Sequence, residues 1–307
     1  MPAVSRVHRG PGHPAGALPG GTSAGTVGRM RPTTATELRR AVLAVSVLHD
    51  VDLEPAEHGV VLPGSPAVSV SWDECRRALA DHDPQATGRR RLTDWLQARR
   101  WAADHSTPDL RERLRPVGLP VRHVLHPGLD WVRERVLGDA LDLGLGAVDL
   151  DPADPDRVVL LPAPALDAAG LAPGEAWAEA VALLERLGAL AVERVRREPR
   201  GVLRPLGDCD AVTLLGSRVL RSALARDAGG MAAAVVPMRR RGWTRLRQVD
   251  PAFGPAAAEA TDPVDRGFDR PLLVTADELT VVAPGGRHLF LRDPVGDEPW
   301  ATEVLYR

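Results

Sequence analysis

The sequence predicts an α+β protein: an N-terminal helical unit with a small hairpin, followed by a larger mixed domain with mainly antiparallel strands. Three observations carry this. Thr34/Glu37 and Ser71/Glu74 repeat a capping-box spacing, and each opens a helix-period segment. One long amphipathic run occupies about Gly174 to Arg197. Beyond it, short β-prone runs are separated by Pro, Gly and Asp turn signals. The chain divides into a leader over 1–33, a helical unit over 34–115 and an α+β domain over 116–307.

The leader is rich in Gly, Pro, Ser and Thr without periodicity, a composition that stays disordered because it buries too little apolar surface to offset ordering entropy. Met30 offers a second start just before the first ordered element. After Thr34, Leu38, Val42, Val45 and Leu48 recur at helical steps. Val60–Leu62 and Ala67–Ser71 read as strands joined by Pro63-Gly64-Ser65-Pro66. Ser71 then launches a helix carrying Cys75 and Leu79. A polar loop around Gly88 precedes a third helix from about Leu92 to Ala103, with Leu92, Trp95 and Leu96 inward. Thr107-Pro108 caps a short fourth helix.

Pro116 to Pro120 reads as a connector. A short helix after Trp131 gives way to Leu141, Leu143 and Leu145 alternating with Asp142, Gly144 and Gly146, the period of a strand with one buried face. An acidic turn, Asp149 to Asp156, joins it to Arg157–Leu161. In the long helix, Trp177, Val181, Leu184, Leu187, Ala191 and Val195 share one face, and Pro199 ends it. Val212, Leu215, Val219 and Ala223 suit a helix capped by Asp208 or Asp210. A rival parse makes Ala211–Leu215 a strand and Gly216-Ser217 a turn into a helix. Met231–Met238 is a buried strand, and Asp250–Thr261 a loop with a short Ala-rich helix. Leu272–Thr275, Leu279–Val282, His288–Arg292 and Thr302–Tyr306 form an antiparallel meander.

Composition excludes more than it identifies. With 44% hydrophobic and 26% charged residues and a net charge of −2, the 307-residue chain is globular and has no electrostatic bias toward nucleic acid. It contains no Lys, Ile or Asn, as the codons of a very GC-rich genome would give, so all 39 basic residues are Arg. That removes Walker A and kinase-type lysines, pyridoxal Schiff bases and Ser–Lys dyads. Two distant cysteines, Cys75 and Cys209, fit a reducing cytoplasm. The N-terminus lacks an apolar signal core, and no run approaches the ~18 apolar residues of a membrane helix.

Candidate chemistry concentrates between Leu203 and Trp243. Cys209 between Asp208 and Asp210 could be a thiolate at a helix N-terminus, with the two carboxylates as reactive groups. Those carboxylates also oppose a second anion, which favours an N-cap beside a small buried cysteine. Arg239, Arg240 and Arg241 beside Trp243 suit an anionic ligand, since guanidinium forks match phosphate and the indole can stack. Gly216-Ser217-Arg218 is a weaker anion-binding turn. His123 and His126 form the only close histidine pair, but their prolines favour extended chain, where residues three apart face opposite ways. Asp149, Asp151, Asp154 and Asp156 lack the order of a calcium loop. Arg39-Arg40, Arg89–Arg91 and Arg99-Arg100 could form a basic face on the helical unit. No metal site or cofactor is expected.

The runs LGDCDAVTLLGS, VVPMRRRGW and GFDRPLLVTADEL, between Trp177 and Thr275, resemble proteins of high-GC actinobacteria without an assigned function. The resemblance covers about a third of the chain and implies a host class, with no activity, ligand or site residue. The functional expectation is an interaction or regulatory protein without catalytic activity whose partner is another protein. The alternatives are an enzyme acting on an anionic small molecule and a nucleic-acid-binding protein using the helical unit.

Overall fold

The computed structural model describes residues 34–79, 86–105, 107–121, 123–126, 131–136, 140–150, 154, 156–198, 201–244 and 253–282. The leader and the runs at His288–Arg292 and Thr302–Tyr306 lie outside them. Helix α1 (Ala35–His49) opens on the expected capping box: Glu37 N–H donates to Thr34 Oγ1 at 3.2 Å, and Thr34 N–H to Glu37 Oε2 at 2.8 Å. Leu38, Ala41, Val42 and Val45 are buried, but Leu48 falls in the last turn, off the edge of that face, and is exposed. Strands β1 (Glu54–Ala56), β2 (Gly59–Leu62) and β3 (Val68–Ser71) make an antiparallel sheet with Val60 opposite Val70. The second capping box, Ser71 with Glu74, starts α2 (Trp72–Leu79).

Helix α3 (Ala86–Asp104) begins six residues before the expected Leu92, so Gly88 is helical and not a loop. Leu92, Trp95 and Leu96 face inward and join α1, α2 and the small sheet in one core. In α4 (Thr107–Arg113), Thr107 is the first helical residue, and its hydroxyl donates to the Ala169 carbonyl.

The expected connector is strand β4 (Leu114–Pro120), which forms a sheet with β5 (Arg133–Val136) and β6 (Leu141–Ala147) in the order β4-β6-β5. Seven residues of β4 pair with β6, from Leu114 opposite Ala147 to Pro120 opposite Leu141. The prolines are tolerated because of parity. Gly118 N–H points away from β6, onto Thr213 Oγ1 at 2.8 Å, whereas Val121 N–H points toward it, onto Ala140 O at 3.0 Å. Pro116 and Pro120 share Gly118's parity, so neither owes β6 a donor. The domain limit expected at 115 therefore falls inside β4.

The short helix expected after Trp131 is also a strand, because the alternating Arg133–Val136 run completes the free side of β6. In β6 itself Leu141, Leu143 and Leu145 are buried as expected, but so is the opposite face. A Cβ on Gly144 would lie 2.5 Å from Trp131 Cε2, so glycine there admits the indole, whose Nε1 donates to Leu145 O at 2.8 Å. The acidic turn leads as expected to β7 (Val159–Leu160), antiparallel to β6.

After α5 (Ala163–Ala168), α6 (Pro173–Arg197) is the longest element. Leu184, Ala191 and Val195 are buried as read, Trp177, Val181 and Leu187 are half-buried, and the small residues Ala176, Ala180 and Gly188 complete the buried face. Strand β8 (Val202–Leu203) follows, then α7 (Ala211–Leu214) and α8 (Arg218–Asp227). The two parses of this region each held half the answer. Ala211–Leu214 is helical, and Gly216-Ser217 turns the chain into a second helix whose cap is Ser217. Val219 is exposed as a result.

Strands β9 (Ala232–Met238) and β10 (Arg241–Trp243), helix α9 (Phe253–Ala260), and strands β11 (Leu272–Val274) and β12 (Leu279–Val281) complete the described fold. The third sheet runs β12-β11-β9-β10-β8, antiparallel throughout. Its apolar face packs on α6, α7 and α8 in the main core. A further core joins α3 to β6, α5 and α6. The architecture is α+β.

Candidate functional site

The Leu203–Trp243 stretch is brought together, but as joinery. Asp208 ion-pairs with Arg115 at 2.6 Å. Cys209 is 1% exposed within the main core, and burial, then Asp210 and Asp208, push its thiol up to about 12. A thiol held protonated in apolar packing is a weak nucleophile. Asp210 caps α7 and pairs with Arg239 at 2.6 Å. Arg239 also uses its backbone: its carbonyl accepts Ala211 N–H at 2.8 Å, and its N–H donates to Asp265 O at 2.7 Å.

The three arginines diverge. Arg239 is turned inward on Asp210, Arg240 is exposed, and Arg241 lies 5.6 Å over the ring of Trp243. Trp243 is itself buried against Phe253 at 5.7 Å between ring centroids. They do not form one fork for an anion.

The histidine pair sits in a richer setting than its sequence promised. His123 N–H donates to Pro120 O and His126 N–H to His123 O, each at 2.9 Å. His123 Nδ1 accepts Leu125 N–H at 3.1 Å, which leaves Nε2 protonated and donating to Arg266 O at 3.0 Å. Burial first, then Arg239, lowers its pKa to about 3, so the ring is neutral. His126 Nε2 lies 3.2 Å from Asp142 Oδ2, and Arg133 Nη1 lies 2.9 Å from both atoms. Asp142 is 1% exposed and lies against the Arg133 guanidinium. Burial and the Arg133 charge lower the His126 pKa.

Beside this cluster, α3 presents Arg91, which sequence reasoning placed in a basic surface. It is 4% exposed, and its Nη2 donates to the His123 and Val124 carbonyls. Its Nε and Nη1 have no partner, and neither has Nε1 of Trp95 one turn further on, also 4% exposed. Burial lowers the Arg91 pKa to about 10. Arg91 and Trp95 line a small cavity with Ala78, Asp94, Leu125 and Trp131. The available signal was positional: once α3 starts at Ala86, Arg91 stands four residues before Trp95, on the apolar side of the helix.

Three of the other N-terminal arginines are engaged within the fold. Arg39 lies over Trp72, Arg99 pairs with Glu74, and Arg100 with Asp104. Of the acidic loop, Asp149 pairs with Arg113 at 3.0 Å. Among the described residues no group of three or more His, Cys, Asp or Glu is placed to hold a metal ion. None of the described helices is long and apolar enough to cross a membrane.

Among the described residues, apolar side chains are open on two surfaces. On α1, Leu43 and Val47 are 43% and 83% exposed, opposite the buried Leu38, Val42 and Val45. Between α6 and α8 lies an open groove with Ala189, Val192, Val219 and Ala223 at its base and Glu185, Glu193, Arg196 and Arg226 along its sides. No family model, curated protein or solved structure matches the chain.

Proposed function

We propose that this is an interaction protein without catalytic activity, and that the outer face of α1 docks an amphipathic helix of a partner protein. One observation carries the reading: the exposed apolar pair Leu43 and Val47 on the outer face of a single helix. Leu43 and Val47 stand at the i, i+4 spacing by which one helix lies along another. Thr36, Glu37 and Arg40 on the same face supply a polar rim.

The rival readings draw less support. Catalysis on an anionic small molecule was to use Arg239–Arg241 with Cys209, and these are respectively divergent and sealed. Nucleic-acid binding by the helical unit needs free arginines, and Arg39, Arg99 and Arg100 are engaged within the fold. Two free, separated, buried cysteines support a cytoplasmic setting.

Photo-crosslinking in the native host tests the proposal. A crosslinker at Val47 is expected to trap a partner that one at exposed Ala178 on α6 does not, and Leu43→Asp should abolish the adduct. Both positions are exposed, so these changes should leave stability within about 0.5 kcal/mol. Equal adducts at both positions, or an adduct of twice the chain's mass, would overturn the reading.

A further inference from the structure

We propose that the cavity between α3 and Trp131 holds one buried halide ion, chloride under ordinary conditions, bound by the Arg91 guanidinium and the indole N–H of Trp95. Three features lead there. First, the unmet groups are all donors: Arg91 Nε and Nη1 and Trp95 Nε1. A water can accept from two such groups, but it must then place its own two protons. A halide only accepts.

Second, the charge is uncompensated. Among the described residues, Arg91 donates to backbone carbonyls, those of His123 and Val124. The carboxylate in the lining, Asp94, is ion-paired with Arg157, and Asp142 nearby is held by Arg133. A guanidinium 4% exposed without an anion is an expensive arrangement, and an acceptor of opposite charge relieves it.

Third, the room is small and the walls are apolar. The cavity takes about one water-sized body between Trp95, Leu125, Trp131, Leu160 and Pro162, which suits a single monatomic anion. The ion would act as a staple. Arg91 already holds the turn at His123 and Val124, while Leu125 and Trp131 wall the cavity, so anion binding couples that turn to α3. This inference is independent of the docking face on α1.

Crystals of the full chain grown in sodium bromide test it directly. An anomalous bromide peak is expected in the cavity beside Arg91 and Trp95. In solution, sodium chloride and bromide should raise the melting temperature saturably over sodium gluconate of equal ionic strength. Trp95→Phe keeps the ring and removes the donor, and should raise the half-saturating halide concentration about tenfold. Arg91→Met should abolish the halide dependence. If that variant does not fold, the bromide map and Trp95→Phe decide. A cavity holding water without anomalous signal, or a halide response unchanged in Trp95→Phe, would overturn the proposal.

Discussion

Asp210 grips Arg239 with the same carboxylate that starts α7. Its Oδ1 accepts Thr213 N–H at 2.7 Å, and its Oδ2 accepts from Arg239 Nε at 2.8 Å and Nη2 at 2.6 Å. The cap and the ion pair join α7 to the end of β9. Asp210→Ala should lose both and cost about 2–3 kcal/mol in urea unfolding. Asp210→Asn keeps a good cap and should cost less. Equal losses in the two variants would assign the whole effect to the ion pair.

Gly188 shows why α6 uses small residues on its buried face. A Cβ there would collide with Ser217 Oγ, and the Ser217 Cβ would be 2.6 Å away. Ser217 cannot easily yield, because its hydroxyl donates to Glu185 at 2.7 Å while Glu185 also accepts Arg218 N–H at 2.8 Å. Gly188→Ala should therefore destabilise by about 1–3 kcal/mol, although alanine gains about 1 kcal/mol in helix propensity. In a Ser217→Gly background the penalty should shrink or change sign. An additive double-mutant cycle would refute the contact.

Both cysteines are buried, and burial pushes each thiol up to about 12. Thiolate is the reactive form, so the native chain should react slowly with DTNB at pH 8. In guanidinium, two thiols per chain should react promptly. A fast native equivalent would reopen Cys209 as a reactive group.

The contrast between what was legible in the sequence and what was not follows from range. Thr34 with Glu37 and Ser71 with Glu74 are three residues apart, and both capping boxes formed as read. The long helix was legible because its period repeats over six turns. Strand β4 was not, since Pro116 and Pro120 signal a connector until Gly118 is seen to donate to Thr213, 95 residues away. Arg91 was hidden for a different reason. A triple arginine reads as a solvated surface, and only the true start of α3 turns its third member inward. The cap in the Asp-Cys-Asp motif was legible too, because Asp210 and the Thr213 N–H it accepts are three residues apart.

His123 should make the protein acid-sensitive with a definite sign. Its ring is neutral in the fold, with a pKa lowered to about 3 by burial first and then by Arg239. An unfolded histidine titrates near 6.5. Between those values the unfolded chain binds a proton that the folded chain does not. The stabilisation is thus complete above about pH 6.5 and declines as pH falls toward 3, by at most about 1.4 kcal/mol per pH unit. His126 and His49, whose pKa values are also lowered, add slope of the same sign. His123→Asn isolates one contribution: its side-chain oxygen can still accept Leu125 N–H, although the bond to Arg266 O is lost. Urea unfolding between pH 4.5 and 8 should show this variant less stable at pH 8 but with a shallower decline in acid. Parallel curves would mean that the folded chain protonates His123 as readily as the unfolded one.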